Sequence, residues 1–152
     1  MNMTEYIAIP QRPFPHYCAE CGRSEVRPAV IEYDAEVKHD GRLIRFSIPE
    51  LRVNKCNSCG EVFFDAATDA QISQGLRERL QLLSPEEIRE GIQSLGMTQR
   101  EFAEQTGIAP ETISRWLSGA YIQSRAMNTL MQLFFERERA KRKGAGQERV
   151  PF

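Results

Sequence analysis

The sequence predicts an α+β protein in which a small β domain, stapled by a four-cysteine zinc site, precedes an all-α helix-turn-helix domain of about five helices. Three observations support this prediction. The four cysteines form two CxxC pairs, and the apolar residues between the pairs alternate as they do in strands. From about residue 65 the apolar residues recur at the three- and four-residue intervals of amphipathic helices. The 152 residues are enough for two small domains.

Residues 1–17 contain several prolines and little periodicity, so they are predicted to form an extended or disordered arm. Tyr6, Ile7 and Ile9 could instead add an edge strand. The N-terminus lacks the basic start and apolar block of a secretory signal, and no apolar run approaches membrane-spanning length. We therefore expect a cytoplasmic protein with no membrane segment, in which disulfides do not form.

The two cysteine pairs have the same form, because a glycine follows each of them directly. The pairs are Cys18-Ala-Glu-Cys21-Gly22 and Cys56-Asn-Ser-Cys59-Gly60. Each turns the backbone so that two thiolates face one cation, and the glycine relieves the turn. Together they predict a structural Zn²⁺ whose ligands are Cys18, Cys21, Cys56 and Cys59.

The cysteine pattern alone also allows three alternatives to a zinc site. The four cysteines could form a redox dithiol, an iron centre of rubredoxin type or four unrelated reduced thiols. Within a metal site, His16 could replace one cysteine ligand. A catalytic metal is disfavoured because four thiolates leave no open position for a substrate.

The 34 residues between Cys21 and Cys56 are expected to leave the metal and return as strands. Asp40-Gly41 is a hairpin signal between two alternating segments. With Val62-Phe63-Phe64 these segments predict a three- or four-stranded domain over residues 18–64. Such a domain buries little apolar surface, so the metal should supply much of its stability.

Helical patterns occupy the rest of the chain. Residues 65–83 are predicted to form a connecting helix that ends before Ser84-Pro85. Ser84 and Glu87 form a capping box, which opens a DNA-binding domain over residues 84–140. Its last helix should begin near Ser124, with an apolar stripe for the core or for dimerisation. Residues 141–152 are predicted to be a disordered tail.

Residues 97–119 predict two short helices joined by a tight turn, which is a helix-turn-helix. Thr98 is a sound N-cap, Gly107 suits the turn, and Pro110 suits the first position of the second helix. This second helix has an inward apolar face and an outward polar edge that can enter a major groove: Ile113, Trp116 and Leu117 face inward, and Glu111, Thr112, Ser114 and Arg115 face outward.

The segment TQREFAEQTGIAPETISRW resembles the helix-turn-helix of phage-repressor-like transcriptional regulators. The resemblance implies that Glu111, Thr112, Ser114 and Arg115 face DNA and that Gln99 holds a phosphate. Arginine bidentate to guanine is the commonest specific contact, which makes Arg115 the best candidate for reading a base. Its structural alternative is an ion pair with Glu111, one helical turn earlier.

The segments CAEC, NKCNSCGE and TISRW, in this order in one chain, resemble the MqsA family of type II antitoxins. The resemblance implies a structural zinc, a toxin partner bound through the zinc domain, and a homodimer bound to a palindromic operator. Two departures prevent transfer of the operator sequence and of the toxin identity. Seventeen residues precede Cys18, and Glu111 stands where the family has asparagine.

The alternative function is a free-standing transcriptional regulator whose zinc domain senses metal or redox state, and a further one is a zinc-ribbon accessory of an enzyme. An enzyme is not expected, because no Ser/His/Asp set, phosphate loop or spaced carboxylate pair occurs.

The charge is uneven along the chain: residues 1–70 carry 8 Lys+Arg and 11 Asp+Glu, whereas residues 71–152 carry 12 Lys+Arg and 10 Asp+Glu. This modest basic excess favours a dimer on DNA.

Overall fold

Three strands precede five helices in the computed structural model, which describes residues 12–147, with the backbone alone for 145–147. This order confirms the predicted α+β fold. Tyr6, Ile7 and Ile9 lie outside the described residues. The elements are β1 (Val26–His39), β2 (Arg42–Cys56), β3 (Val62–Phe63), α1 (Ala66–Leu80), α2 (Pro85–Ser94), α3 (Gln99–Thr106), α4 (Pro110–Leu117) and α5 (Arg125–Gln147).

The three strands form one sheet in the order β1-β2-β3. The two-residue turn between β1 and β2 is Asp40-Gly41, and both residues have positive φ (50° and 72°), as a type I′ hairpin turn requires. The short β3 pairs antiparallel with the end of β2, where Lys55 lies opposite Val62. Residues 26–56 thus form two long strands rather than several short ones, because alternate side chains are shielded along most of their length.

The chain divides into two compact units. The first, which we call the cysteine unit, contains the described residues up to Asp34 together with Ser47–Ile72. The second, the helical unit, contains Ala35–Phe46 and the described residues from Ser73 onward. The end of the β1–β2 hairpin therefore packs with the helices. Domain boundaries that follow the order of the sequence cannot show that part of the β1–β2 hairpin packs with the helices.

The cysteine unit has a small core around Cys18, Val26 and Cys56. The first turn of α1 is attached to β2 in the same unit. The Asp65 carboxylate accepts a hydrogen bond from the Thr68 main-chain N–H (2.9 Å), which holds the pKa of Asp65 below its usual value. The buried Thr68 hydroxyl donates to the Arg52 carbonyl (3.0 Å). These bonds fix where the helix leaves the sheet.

The helical unit is built on one apolar core. Phe102 is fully buried at its centre and stacks on Phe135, with ring centroids 5.6 Å apart. The core residues are Ile88, Ile92, Leu95, Phe102, Ala103, Ile108, Ile113, Trp116, Leu117, Met131, Phe134 and Phe135.

Helix α1 ends at Leu80, before the end of the predicted connecting helix, because Gln81 takes the left-handed conformation (φ 55°).

Helix α5 continues to Gln147, so the predicted disordered tail is corrected: residues 141–147 are helical, and residues 148–152 lie outside the described part of the chain. Two contacts explain the extension. Lys141 pairs with Glu138 in the preceding turn (3.2 Å), and Arg142 donates to the main-chain carbonyl of Leu95 at the end of α2. Within residues 12–147, α5 and the other helices are all too short or too polar to cross a bilayer.

Candidate metal centre and nucleic-acid interface

The two CxxC-Gly segments, which we call the knuckles, have the same backbone hydrogen bonds. In the first, the N–H of Gly22 donates to the Cys18 carbonyl (2.8 Å), and in the second the N–H of Gly60 donates to the Cys56 carbonyl (2.9 Å). Both glycines have positive φ, 75° and 80°, which L side chains rarely adopt. Each knuckle therefore closes the same tight loop, and each presents two sulfur atoms on one side.

The four cysteine sulfur atoms form one cluster. The Sγ atoms of Cys18, Cys21, Cys56 and Cys59 lie within 4.8 Å of one another. The separations Cys18–Cys59 and Cys21–Cys56 are both 3.7 Å, too long for disulfides. A tetrahedron with Zn–S bonds of about 2.3 Å has edges of about 3.8 Å. The sulfur positions therefore fit a tetrahedral metal such as zinc.

The ionisation of the thiols also favours a cation at this point. The N–H of Cys59 can donate to the Cys56 thiolate and, as the largest of several effects, lowers the pKa of that thiol to about 7. The main-chain N–H of Glu61 stabilises the Cys59 thiolate, but desolvation and the neighbouring sulfur atoms raise the pKa of Cys59 to about 12. The ionised forms of Cys56 and Cys59 thus oppose each other unless a cation compensates their charge.

His16 is not one of the grouped ligands. Its Nε2 atom lies 2.7 Å from the Arg12 carbonyl oxygen, and its ring stacks on Phe14. Its main chain pairs with Val26 at the start of β1. Among the described residues, the group that could hold a metal consists of the four cysteines alone.

Helix α3 begins at the predicted cap. The Thr98 hydroxyl accepts from the N–H of Glu101 (3.2 Å), and the Glu101 carboxylate accepts from the N–H of Thr98 (2.8 Å), which completes a capping box. Gln99 is the first residue of the helix and is exposed. Gly107 ends the helix with φ 75°, and its N–H donates to the Ala103 carbonyl (2.9 Å).

Helix α4 divides into the two faces that its sequence predicted. Ile113, Trp116 and Leu117 are at most 7% exposed and join the core of the helical unit. Of the residues predicted to contact DNA, Thr112 is half-buried, whereas Glu111, Ser114 and Arg115 are exposed. Their contact with DNA remains a prediction.

Arg115 does not make the ion pair that was its structural alternative: among the described residues, Glu111 is not its partner in an ion pair. Its guanidinium carbon instead lies 5.6 Å from the centroid of the Tyr121 ring, a cation–π distance. The N–H of Tyr121 also donates to the Arg115 carbonyl (3.3 Å). Tyr121 therefore restricts where the arginine can point.

The loop after α4 is held by a buried polar network. The side-chain amide of Gln123 donates to the Leu83 carbonyl (2.7 Å) and lies 3.1 Å from the Asn128 carboxamide oxygen. The same Asn128 oxygen accepts from the N–H of Leu83 (2.8 Å). Gln123 and Asn128 are at most 4% exposed. The loop that follows α4 is thus fixed to the segment before α2.

The end of the β1–β2 hairpin contacts this loop from the other side, within the helical unit. His39 Nε2 donates to the Gln123 carbonyl (3.1 Å). The Asp40 carboxylate accepts from the N–H of Arg125, the first residue of α5 (2.9 Å). Asp40 therefore caps a helix that begins 85 residues later in the chain.

The sequence did not predict these roles of Tyr121, Gln123, His39 and Asp40. Each depends on a partner in another element, and no periodicity or spacing in the sequence encodes such a pair. Only the side-chain chemistry of the hairpin turn, an aspartate that can cap a helix, gave a local hint.

Residues 87–127 match the family model described as Helix-turn-helix. The match begins in α2 and ends in the first turn of α5, so it includes the whole of α3 and α4. No curated protein has significant sequence similarity to the chain. The match covers about a quarter of the chain, and it identifies a helix-turn-helix domain of the kind found in DNA-binding regulators.

Proposed function

We propose that this protein is a non-enzymatic, sequence-specific DNA-binding transcriptional repressor that acts as the antitoxin of a type II toxin–antitoxin pair. The observation that carries the DNA-binding part is the helix-turn-helix match, because α4 in that segment buries one face and presents a polar edge. A cytoplasmic location agrees with a chromosomal operator as its target. The antitoxin part depends on the resemblance of the four-cysteine and helix-turn-helix combination to the MqsA family.

In this proposal Cys18, Cys21, Cys56 and Cys59 hold one Zn²⁺, which cross-links the start of the described chain to the end of β2. The metal supplies a structural cross-link and no catalytic chemistry, since all four positions are taken by protein ligands. The proposed toxin partner binds the cysteine unit, so that DNA and protein recognition occupy different parts of the chain.

The repressor is proposed to bind its palindromic operator as a homodimer. Three apolar side chains at three-residue intervals on α5 support a second copy as the partner of this helix. Met127, Leu130 and Leu133 are 38%, 39% and 59% exposed, whereas Met131 is fully buried. A dimer would place one α4 in each half-site of the operator.

The proposed roles of Arg115 and Gln99 are tested by competition binding. The preferred duplex is first selected from a random library, and each variant then binds it in competition with a scrambled duplex. Arg115→Ala should lose roughly 1 to 3 kcal/mol per half-site on the preferred duplex and relax discrimination at one base pair. Gln99→Ala should weaken both duplexes about equally, because a phosphate contact carries no sequence information.

An unchanged ratio of affinities for Arg115→Ala would show that this arginine reads no base. A selected sequence without two-fold symmetry would contradict the dimer. The antitoxin role has a separate test, which is whether the untagged product of the neighbouring gene co-purifies with the tagged protein.

The second candidate, a regulator whose cysteines sense metal or redox state, is favoured by one observation. Cys59 is exposed and Cys21 is partly exposed, whereas Cys18 and Cys56 are fully buried, so Cys59 is the ligand that an oxidant reaches most easily. For this function, mild oxidation or metal removal should change operator affinity in a protein that has no toxin partner.

A further inference from the structure

The helix-turn-helix segment carries little positive charge of its own. Between residues 87 and 127 there are four arginines and five glutamates, and no lysine or aspartate. Two of the arginines are engaged: Arg89 donates to the Leu117 carbonyl (3.2 Å), and Arg100 pairs with Glu104 (3.4 Å). Phosphate neutralisation supplies much of the affinity of a protein for DNA. Further cations are therefore needed close to α4.

Two cations from outside residues 87–127, Arg42 and Arg79, lie with Arg125 of that segment where the hairpin end adjoins the helices. Arg42 and Arg125 line one surface depression, and Arg79 and Arg125 line a second one that adjoins it. We call Arg42, Arg79 and Arg125 the arginine surface. All three are exposed, and none of them forms an ion pair with a carboxylate in the described part of the chain.

The arginine surface has little negative charge to oppose it. Asp40 is the one carboxylate that lines either depression, and it accepts from the N–H of Arg125. Arg45 also lines the second depression, but it is paired with Glu36 (2.6 Å). The surface therefore attracts anions, and Ile44 and Leu80 form aliphatic walls between the guanidinium groups.

Short contacts connect this surface to α4. The Tyr121 ring lies against Arg115 of α4, and the same loop continues to Gln123, whose carbonyl accepts from His39. Arg125 follows two residues later, and Arg42 follows His39 in the hairpin. Arg42 and Arg125 thus each lie within three residues of the contact between His39 and Gln123, and Arg79 shares the second depression with Arg125.

We propose that the arginine surface binds phosphates of the DNA duplex next to the bases that α4 reads, which extends the footprint beyond the helix-turn-helix. This inference rests on the proposed DNA-binding function. Duplex DNA fits because it presents closely spaced phosphates, and the two adjoining depressions together expose three guanidinium groups that carry no carboxylate partner. They contribute affinity without sequence preference.

The test measures binding of the full chain to a labelled random-sequence duplex over a series of salt concentrations around 0.1 M. The Arg42→Gln/Arg79→Gln variant should have a plot of log affinity against log salt that is shallower by about 2, since each lost phosphate contact removes about 0.9. Its affinity near 0.1 M salt should fall roughly tenfold for each lost contact. Arg42→Lys/Arg79→Lys keeps both charges and should retain the wild-type slope.

The matched control is Arg27→Gln/Arg52→Gln, which removes the same charge from exposed positions of the cysteine unit. The control should retain most of the slope. If the two Gln variants lose the same slope, net charge explains the effect and the arginine surface is overturned. An unchanged slope for Arg42→Gln/Arg79→Gln would likewise overturn it, while the proposed function would stand. A wild-type protein that binds no duplex would overturn both.

Discussion

The two units of this protein reach a stable fold by different means. The cysteine unit has few fully buried apolar side chains, and two of the residues at its centre are the thiols of Cys18 and Cys56. The helical unit surrounds Phe102 with a continuous apolar core and closes its helices with two capping boxes. We therefore expect the first unit to depend on a bound metal for its stability, whereas the second has a sufficient apolar core of its own.

The largest expected effect is that of metal removal. The sample should contain about one zinc per chain, whose apparent binding free energy at structural sites is about 10 to 16 kcal/mol. Chelation should unfold the residues around the knuckles, including the first part of β1. Ala35–Phe46 should remain protected, because it packs in the helical unit. Hydrogen exchange with and without a chelator measures both segments.

A well-folded and unoxidised sample without bound metal would contradict this prediction. Loss of protection over Ala35–Phe46 together with the knuckles would show instead that the hairpin unfolds as one piece. Alkylation offers a further check: in the metal-bound protein all four cysteines should be protected, whereas three protected cysteines would indicate another ligand.

The next largest effect should come from the centre of the helical core. Phe102 is fully buried and contacts both Phe134 and Phe135, with ring centroids 5.4 and 5.6 Å away. Phe102→Ala should lower the free energy of unfolding of the helical unit by roughly 3 to 5 kcal/mol, since it removes a large side chain and leaves a cavity. Denaturant unfolding followed by tryptophan fluorescence reports it, because Trp116 lies in the same core.

The Phe102→Ala protein should keep its metal if the two units are as independent as their cores suggest. Metal content after gel filtration is the measurement. A variant that loses zinc together with its helical fold would show that the two units fold cooperatively.

The features that could be predicted from the sequence are those encoded over a few residues. The CxxC-Gly knuckles fix their own loop geometry, and the Asp40-Gly41 turn needs only two left-handed residues. The capping box of Ser84 with Glu87 likewise depends on a single helical turn. Each of these patterns has one low-energy solution, and the structure confirms it.

The features that could not be predicted depend on contacts between distant segments. The hydrogen bond from the Arg125 main-chain N–H to Asp40 joins residues that are 85 positions apart, and the cation–π contact of Arg115 with Tyr121 follows from the path of an irregular loop. The early end of α1 has a different cause: Gln81 takes a left-handed conformation without being glycine or asparagine. For the first two features the decisive interactions are tertiary.

A smaller effect is expected at the contact between α2 and α5. A Cβ atom on Gly91 would lie 2.7 Å from two ring carbons of Phe135, and this ring is held by Phe102. Gly91→Ala should therefore cost roughly 1 to 3 kcal/mol through overpacking, despite the higher helix propensity of alanine. Gly144→Ala is the matched control, because nothing lies within 4 Å of its Cβ position. Thermal unfolding should show a lower midpoint for the first variant and an unchanged or higher midpoint for the second.

Equal midpoints for the two glycine variants would mean that the Phe135 ring moves aside without cost. The contact between α2 and α5 would then be looser than the close approach of Gly91 to the ring implies.

The smallest predicted effect tests the link between the hairpin and the helices. The Asp40 carboxylate is about one-third exposed and caps α5 through the N–H of Arg125, so its net contribution should be roughly 1 kcal/mol. Asp40→Gly removes the carboxylate and tolerates the positive φ of the turn, whereas Asp40→Asn keeps an acceptor oxygen. Urea unfolding of the helical unit should therefore show stability that decreases from wild type to Asp40→Asn to Asp40→Gly.

A fragment of residues 66–152 retains α4 and its core but lacks the cap, so it should fold, bind DNA and unfold at a lower urea concentration than the full chain. Identical stability of the fragment and the full chain would show that the hairpin end contributes nothing to the helical unit.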